Sequence, residues 1–211
     1  MITIRNMSAS EQQCVRELSL LHTRAFPDFF LTQLGVGFLD ALYRGYLSDE
    51  KSGILVAEED DRIVGFIAYS YDYPNFYKGL IKHHLMKFAF CSMGAAIKHP
   101  SFVKRLLGAF KKSDSVVKKE KYVELASICV DPKIKKRGLG SMLIDHLKDM
   151  VDLNQFAYIN LETDAVNNDA VNRFYVKNGF ELARSFFSPE GRKMNEYRFW
   201  GGNAGENALY P

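Results

Sequence analysis

The sequence predicts an α/β fold, a central mixed but mostly antiparallel sheet flanked by helices and interrupted by a helical insertion. Three observations predict it. Two runs rich in β-branched and aromatic residues, 53–57 and 63–69, flank the acidic turn 58–62 and read as a hairpin. Residues 122–177 alternate strand, helix, strand, helix, the order of an α/β unit. A second hairpin, 180–187 with 195–200, makes the ends of the sheet antiparallel. A chain of 211 residues, 47% hydrophobic and 25% charged, can bury about 70% of its unfolded surface without metal or disulfide support. We therefore expect a single domain over 1–211, with the insertion at about 74–120 inside it.

Each element follows from a local signal. Ser8 and Glu11 have capping-box spacing ahead of Val15, Leu18 and Leu21, which predicts a first helix from about residue 9. Pro27 ends it, because proline disfavours a helical conformation at the preceding residue and donates no backbone hydrogen bond. A Phe-rich loop, 25–30, follows. Leu34, Phe38, Leu42 and Tyr46 recur every four residues and predict a second helix over 31–47, weakened by Gly35 and Gly37. After the first hairpin, residues 73–121 are too long for a structureless loop in a compact domain, so helices over 80–97 and 102–110 are expected around Pro100. Strand 122–130, helix 138–151, strand 158–163 and helix 169–177 precede the last hairpin; 201–211 read as irregular.

The net charge of +3 conceals a polarised chain: residues 78–121 hold eleven Lys or Arg against Asp114 and Glu120. Such a run suits an anionic neighbour, or simply keeps a pair of solvated helix faces soluble. The stretch 85–97 contains Lys87 and falls short of the roughly 20 apolar residues of a membrane span, and the N-terminus lacks the apolar core of a signal peptide. Cys14, Cys91 and Cys129 are odd in number and show no CxxC spacing, so we expect reduced thiols in a cytoplasmic protein. His83, His84 and His99 lack companions at metal-ligand spacing, and no metal is predicted.

The informative segment runs from Ile128, Cys129 and Val130 through Asp131 and Pro132 into a basic turn, Lys133 to Arg137, and then Gly138, Leu139, Gly140 and Ser141 at a helix start. Unpaired amides in the first helical turn, the positive end of the helix dipole and glycines that admit close approach together make an anion site. Val130, Pro132, Gly138 and Gly140 resemble the signature of the GNAT superfamily of N-acetyltransferases, with Lys135 where that family usually has Arg or Gln. A second segment, Asn168 to Phe180, is similar to the family's helix ending in Tyr-x-x-x-Gly-Phe. The resemblance covers about 50–73 and 121–200 and leaves the insertion outside.

The resemblance implies that acetyl-coenzyme A is the cofactor, held by its diphosphate at Lys135, Lys136, Arg137, Gly138, Leu139, Gly140 and Ser141, with Ile128, Cys129, Val130, Asn168 and Tyr175 along the rest of it. It implies an oxyanion donor among the amides near Cys129 and Val130. Strand 159–163 takes the place of the family's strand that parts from its neighbour to admit the pantetheine arm. An amine attacks only when deprotonated, and an alkylamine near pKa 10 is mostly charged at neutral pH, so a base is required. Glu124 is the candidate base by resemblance, and strand alternation groups it with Ala126, Ile128 and Val130. Its alternative role is a half-buried ion pair. Tyr175 matches the family's general acid, a phenol that stays protonated until the leaving sulfur develops charge. Asn168 either contacts the cofactor or caps its helix.

By the same resemblance the acceptor groove lies at Phe26, Phe29 and Phe30 with the last hairpin, where Arg184, Arg192 and Tyr197 are polar candidates, and the insertion could cover it as a lid. Its basic charge suits an anionic amino sugar or an acidic protein surface. Direct transfer to a small-molecule or protein amine in a ternary complex is the first reading. A non-catalytic acyl-coenzyme A-binding regulatory module is the alternative; attachment to membrane or nucleic acid through the basic helices is a third. One chain does not decide between monomer and homodimer.

Overall fold

The computed structural model describes residues 1–80, 82, 120–134, 138–189 and 191–201. Its core is a seven-stranded sheet in the order β1-β2-β3-β4-β5-β7-β6. The strands are β1 (Ile2–Asn6), β2 (Ser52–Glu59), β3 (Arg62–Ser70), β4 (Tyr122–Val130), β5 (Tyr158–Asp164), β6 (Glu181–Phe187) and β7 (Lys193–Phe199). Every neighbouring pair is antiparallel except β4 with β5. The helices are α1 (Val15–Ala25), α2 (Phe30–Gln33), α3 (Val36–Ser48), α4 (residues 73–80), α5 (Leu139–Met150) and α6 (Asp169–Lys177).

On one face α1 and α3 set Leu18, Leu21, Phe38 and Tyr43 against Ile54, Val56 and Phe66. On the other, α5 sets Leu139, Leu143, Ile144 and Leu147 against Leu55, Ile67 and Ile159, with Tyr175 of α6 in the same cluster. These helices form because their apolar residues return every three or four positions, so one stripe of each is buried while the opposite side stays wet.

Local departures from expectation have local causes. The first helix starts at Val15, not near residue 9, because only half of the capping box forms: the Ser8 amide donates to Glu11 at 2.6 Å, while the Ser8 hydroxyl meets Ser10. A 3-10 turn over Gln12–Cys14 fills the difference. The predicted second helix is split into α2 and α3 by Gly35, whose φ of 95° is open to glycine and strained for other residues. Strand β1 is absent from the sequence expectation; its Ile2 and Ile4 only half-bury at the sheet edge, and Arg5 fastens it by hydrogen bonds to Glu58 and Glu11. Of the predicted insertion helices, α4 approaches the start of the first, and the second lies outside the described residues with most of the basic run.

Two irregularities of β4 shape the site. First, β4 pairs with β5 only from Tyr122 to Glu124, opposite Tyr158 to Asn160, and beyond that the strands separate. Second, Ala68 faces Ser127 while Tyr69 faces Leu125, which leaves Ala126 as an extra, unpaired residue, a β-bulge. The bulge overturns the simple alternation: Glu124 and Ala126 lie on the α1/α3 side, but Ile128 and Val130 face the α5 side, because one added residue switches every later side chain to the opposite face.

Candidate active site

A cavity of about 880 Å³ runs through the gap between β4 and β5. On one side its walls are Gly138, Leu139, Gly140 and Ser141 of the α5 mouth, with Asn168, Phe174 and Tyr175 from the α6 segment. Ile128 and Val130 of β4 and Glu162, Thr163 and Asp164 of β5 line the gap itself. On the other side it opens between α1, α2, α3 and α4, where Phe26, Phe29 and Phe30 stand among its walls.

The α5 mouth has the features of an anion cradle. Gly138 is the N-cap, with φ 68° and ψ 15°, and no side chain caps the helix, so its first amides are left for a ligand. A Cβ at Gly138 would meet nothing within 4 Å, which means the approach is open. Gly140 is required for a different reason: a Cβ there would touch the Phe174 ring at 3.0 Å, so this glycine lets α6 close on α5. Upstream, the Asp131 carboxylate accepts from the Lys133 amide at 2.9 Å and pairs with Arg24 at 3.3 Å, fixing the chain as it leaves β4. Lys135, Lys136 and Arg137 lie outside the described residues. These features fit the diphosphate of acetyl-coenzyme A, and the open gap fits a pantetheine arm.

Tyr175 is buried, and its ring packs with those of Phe180 and Tyr197. Burial pushes its phenol well above the usual value, so it carries its proton throughout the neutral range. The hydroxyl has no hydrogen-bond partner among the described residues. Glu124 is also buried, accepts from Asn160 Nδ2 at 2.7 Å, and is not among the residues that line the cavity. Desolvation raises the phenols of Tyr46 and Tyr73, and the charge of Glu124 raises them further. Cys129 packs in the α1/α3 core, away from the cavity, and burial raises its thiol to about 12, so it is no thiolate nucleophile at neutral pH.

Asn168 is the N-cap residue of α6, but its side chain makes no capping bond; its amide donates to Thr163 Oγ1 at 2.8 Å and to the Asp164 carbonyl at 3.0 Å, which ties the free end of β5 to the helix. Two acceptor candidates are placed elsewhere. Tyr197 is on the α5/α6 side, where its hydroxyl donates to Asn172 Oδ1 at 2.9 Å. Arg184 is held at 2.7 Å by Glu196, a fully buried carboxylate that also binds Arg198 at 2.8 Å. Arg192 does reach the cavity, bound through both oxygens of Asp164.

Sequence reasoning missed several groups. Asn172 accepts from Asn195 and Tyr197 and donates to the carbonyls of Asp164 and Asn168, joining β5, α6 and β7. His22 lines the acceptor side, with Nδ1 at 2.6 Å from the Tyr43 hydroxyl. Burial lowers this imidazole from 6.5 to about 4. Above pH 6.5 both folded and unfolded chains hold it neutral; as pH falls toward 4 the unfolded chain takes up a proton that the native state refuses. Native stability should therefore fall across that window by a contribution of order 3 kcal/mol, and His22→Gln should remove that contribution. Urea unfolding at pH 7 and pH 4.5 checks this; equal pH slopes for the two proteins would refute it.

Among the described residues, no cluster of His, Cys, Asp and Glu could hold a metal, and no helix is long and apolar enough to cross a membrane. The family model for the acetyltransferase (GNAT) family matches residues 16–180, and the chain belongs to that family. It is an acetyl-coenzyme A-dependent N-acetyltransferase. No curated protein matches it. Solved structures resemble its fold at low identity. A GNAT-family protein of Desulfovibrio desulfuricans is 16% identical, with a TM-score of 0.60, over 95% of this chain and 99% of the other. The ribosomal-protein-S18-alanine N-acetyltransferase of Escherichia coli is 18% identical, with a TM-score of 0.53, over 100% of both chains. The polyamine N-acetyltransferase of Drosophila melanogaster is 12% identical, with a TM-score of 0.59, over 95% and 100%.

Proposed function

We propose that the enzyme moves the acetyl group directly from acetyl-coenzyme A to a primary amine while both are bound in the one cavity. The observation that carries this reading is the continuity of that cavity from the α5 mouth, through the β4–β5 gap, to the α1–α3 side. Acetyl-coenzyme A supplies a thioester carbonyl that an uncharged amine can attack. Amides of residues 138–141 hold the diphosphate, and amides near the β4 bulge, toward Cys129 and Val130, face the developing oxyanion. Glu124, which is not among the lining residues, takes the amine proton through water. Tyr175 gives its proton to the departing sulfur. The raised thiol of Cys129 supports direct transfer over an acyl-enzyme.

Similar folds act on a ribosomal protein and on polyamines, so the fold alone sets no acceptor. The free thiols of Cys14 and Cys129 suit the reducing cytoplasm, where we place the reaction. Release of coenzyme A thiol on mixing the protein, acetyl-coenzyme A and an amine tests the function; binding without release would support a regulatory module instead. Glu124→Gln should lower kcat/KM at pH 7 by about 100-fold, and the loss should shrink by about tenfold per pH unit toward pH 9 as the amine deprotonates unaided. A loss that is the same at every pH would remove Glu124 from the base role.

A further inference from the structure

We infer that the acceptor is an aliphatic diamine, a primary amine with a second cationic nitrogen on a short alkyl spacer, and that Glu162 is the residue that selects it. The inference rests on the N-acetyltransferase reading above and specifies its acceptor.

The strand register gathers carboxylates on the acceptor side. Ile159 and Leu161 pack toward α5, so alternation along β5 turns Asn160, Glu162 and Asp164 toward α1, α3 and α4. Glu124 stands opposite Asn160 in the register, and Glu162 is the next residue on the same face of β5. At about 3.3 Å of rise per residue and about 4.8 Å between strands, the Cα atoms of Glu124 and Glu162 are about 8 Å apart. About five bonds of about 1.5 Å, as between the nitrogens of putrescine, cover that distance. Arg192 engages Asp164, Arg184 and Arg198 engage Glu196, and the neutral amide of Asn160 engages Glu124. Glu162 is half-buried on the cavity wall, and a carboxylate has about four acceptor positions, so contacts within the protein leave room for a ligand ammonium.

Three phenols report the sign of the field on this side. Desolvation raises Tyr46, Tyr73 and Tyr122 above the usual value, Glu124 raises each further, and Glu162 adds to Tyr73 and Tyr122. No described cation lowers any of the three. Of the cations that line the cavity, Arg192 is bound to Asp164 and Lys177 comes from α6 on the cofactor side. Buried His22 is neutral above its lowered value of about 4. Tyr46, Tyr73 and Tyr77 also line this side, the last two with ring centroids 5.7 Å apart, and ring faces attract cations. A second alkylammonium, charged at neutral pH, therefore exchanges its hydration for carboxylates and ring faces, whereas an anion meets its own sign.

An independent observation points to an N–H donor. His22 is only 2% exposed, its Nδ1 lies 2.6 Å from the Tyr43 hydroxyl, and its Nε2 is buried with no hydrogen-bond partner among the described residues. With Nδ1–H donating to Tyr43, Nε2 is an acceptor, and a ligand N–H that meets it removes the standing cost of an unmade buried hydrogen bond. The expectation of an anionic acceptor drew on the basic run 78–121, most of which lies outside the described residues; the described walls favour the opposite sign.

The test uses the purified full chain at saturating acetyl-coenzyme A and neutral pH, with thiol release measured for amines of equal chain length: butylamine, 4-aminobutanol, 4-aminobutyrate and putrescine. Putrescine should exceed each of the others in kcat/KM by about tenfold or more, and 4-aminobutyrate should be the poorest. Glu162→Gln should cut the ratio of putrescine to butylamine about tenfold, chiefly by raising KM for putrescine. Equal use of putrescine and butylamine, preference for 4-aminobutyrate, or a ratio that survives in the Glu162 variant would overturn the inference while leaving acetyl transfer intact. Thiol release with other amines but with none of these would do the same. Release with no amine at all, from a protein that binds acetyl-coenzyme A, would overturn both.

Discussion

Replacing Tyr175 with phenylalanine should lower kcat by about 100-fold or more while acetyl-coenzyme A binds as before, because a positioned general acid contributes at least that much. The substitution keeps the ring, so its packing with Phe180 and Tyr197 is retained. It removes only a hydroxyl that has no partner among the described residues, so stability should hardly change. Burial keeps the phenol protonated, as the role requires: a group that ionised near neutral pH would have no proton to give the sulfur. Steady-state kcat and calorimetric affinity, measured on the same preparation, separate this effect from a packing role. Full turnover in the variant would assign Tyr175 to the core alone.

The second large effect belongs to Gly138. Gly138→Asp should weaken acetyl-coenzyme A binding from about fivefold upward, since a like charge about 4 Å from a phosphate costs about 1 to 4 kcal/mol. Gly138→Asn is its control. Asn and Asp tolerate the left-handed conformation observed here better than other side chains, and nothing stands within 4 Å of the added Cβ. Either side chain is strained at this φ, so both variants should lose similar stability and only the charge separates their binding. Equal affinities for the two variants would show that no phosphate approaches this helix end.

The central half of the fold was legible from sequence because each boundary carries its own signal. Tyr122–Val130 and Asp169–Lys177 coincide with the expected strand and helix, and Gly138 marks the helix start by the left-handed turn it makes. What could not be read depends on pairing across the sheet. The bulge at Ala126 arises from the register against β3, and no residue type in that strand announces it. Arg184 and Glu196 meet only because the last hairpin sets them opposite one another, so Arg184 looked available when it is engaged. Tyr197, named only as a polar acceptor candidate, packs on the α5 side, which again depends on how the last hairpin is placed. The acceptor walls were hidden differently: His22, Tyr43 and Tyr46 sit on helical stripes that periodicity reads as plain core, and the gap between β4 and β5 alone turns that core into a cavity.

A crystal structure of the protein with acetyl-coenzyme A tests the central claim most directly. We predict diphosphate oxygens at hydrogen-bond distance, about 2.7–3.2 Å, from main-chain nitrogens of residues 138–141, with the thioester between the β4 bulge and the Tyr175 hydroxyl. A nucleotide seated elsewhere, or a thioester that does not enter the space between β4 and β5, would contradict the account.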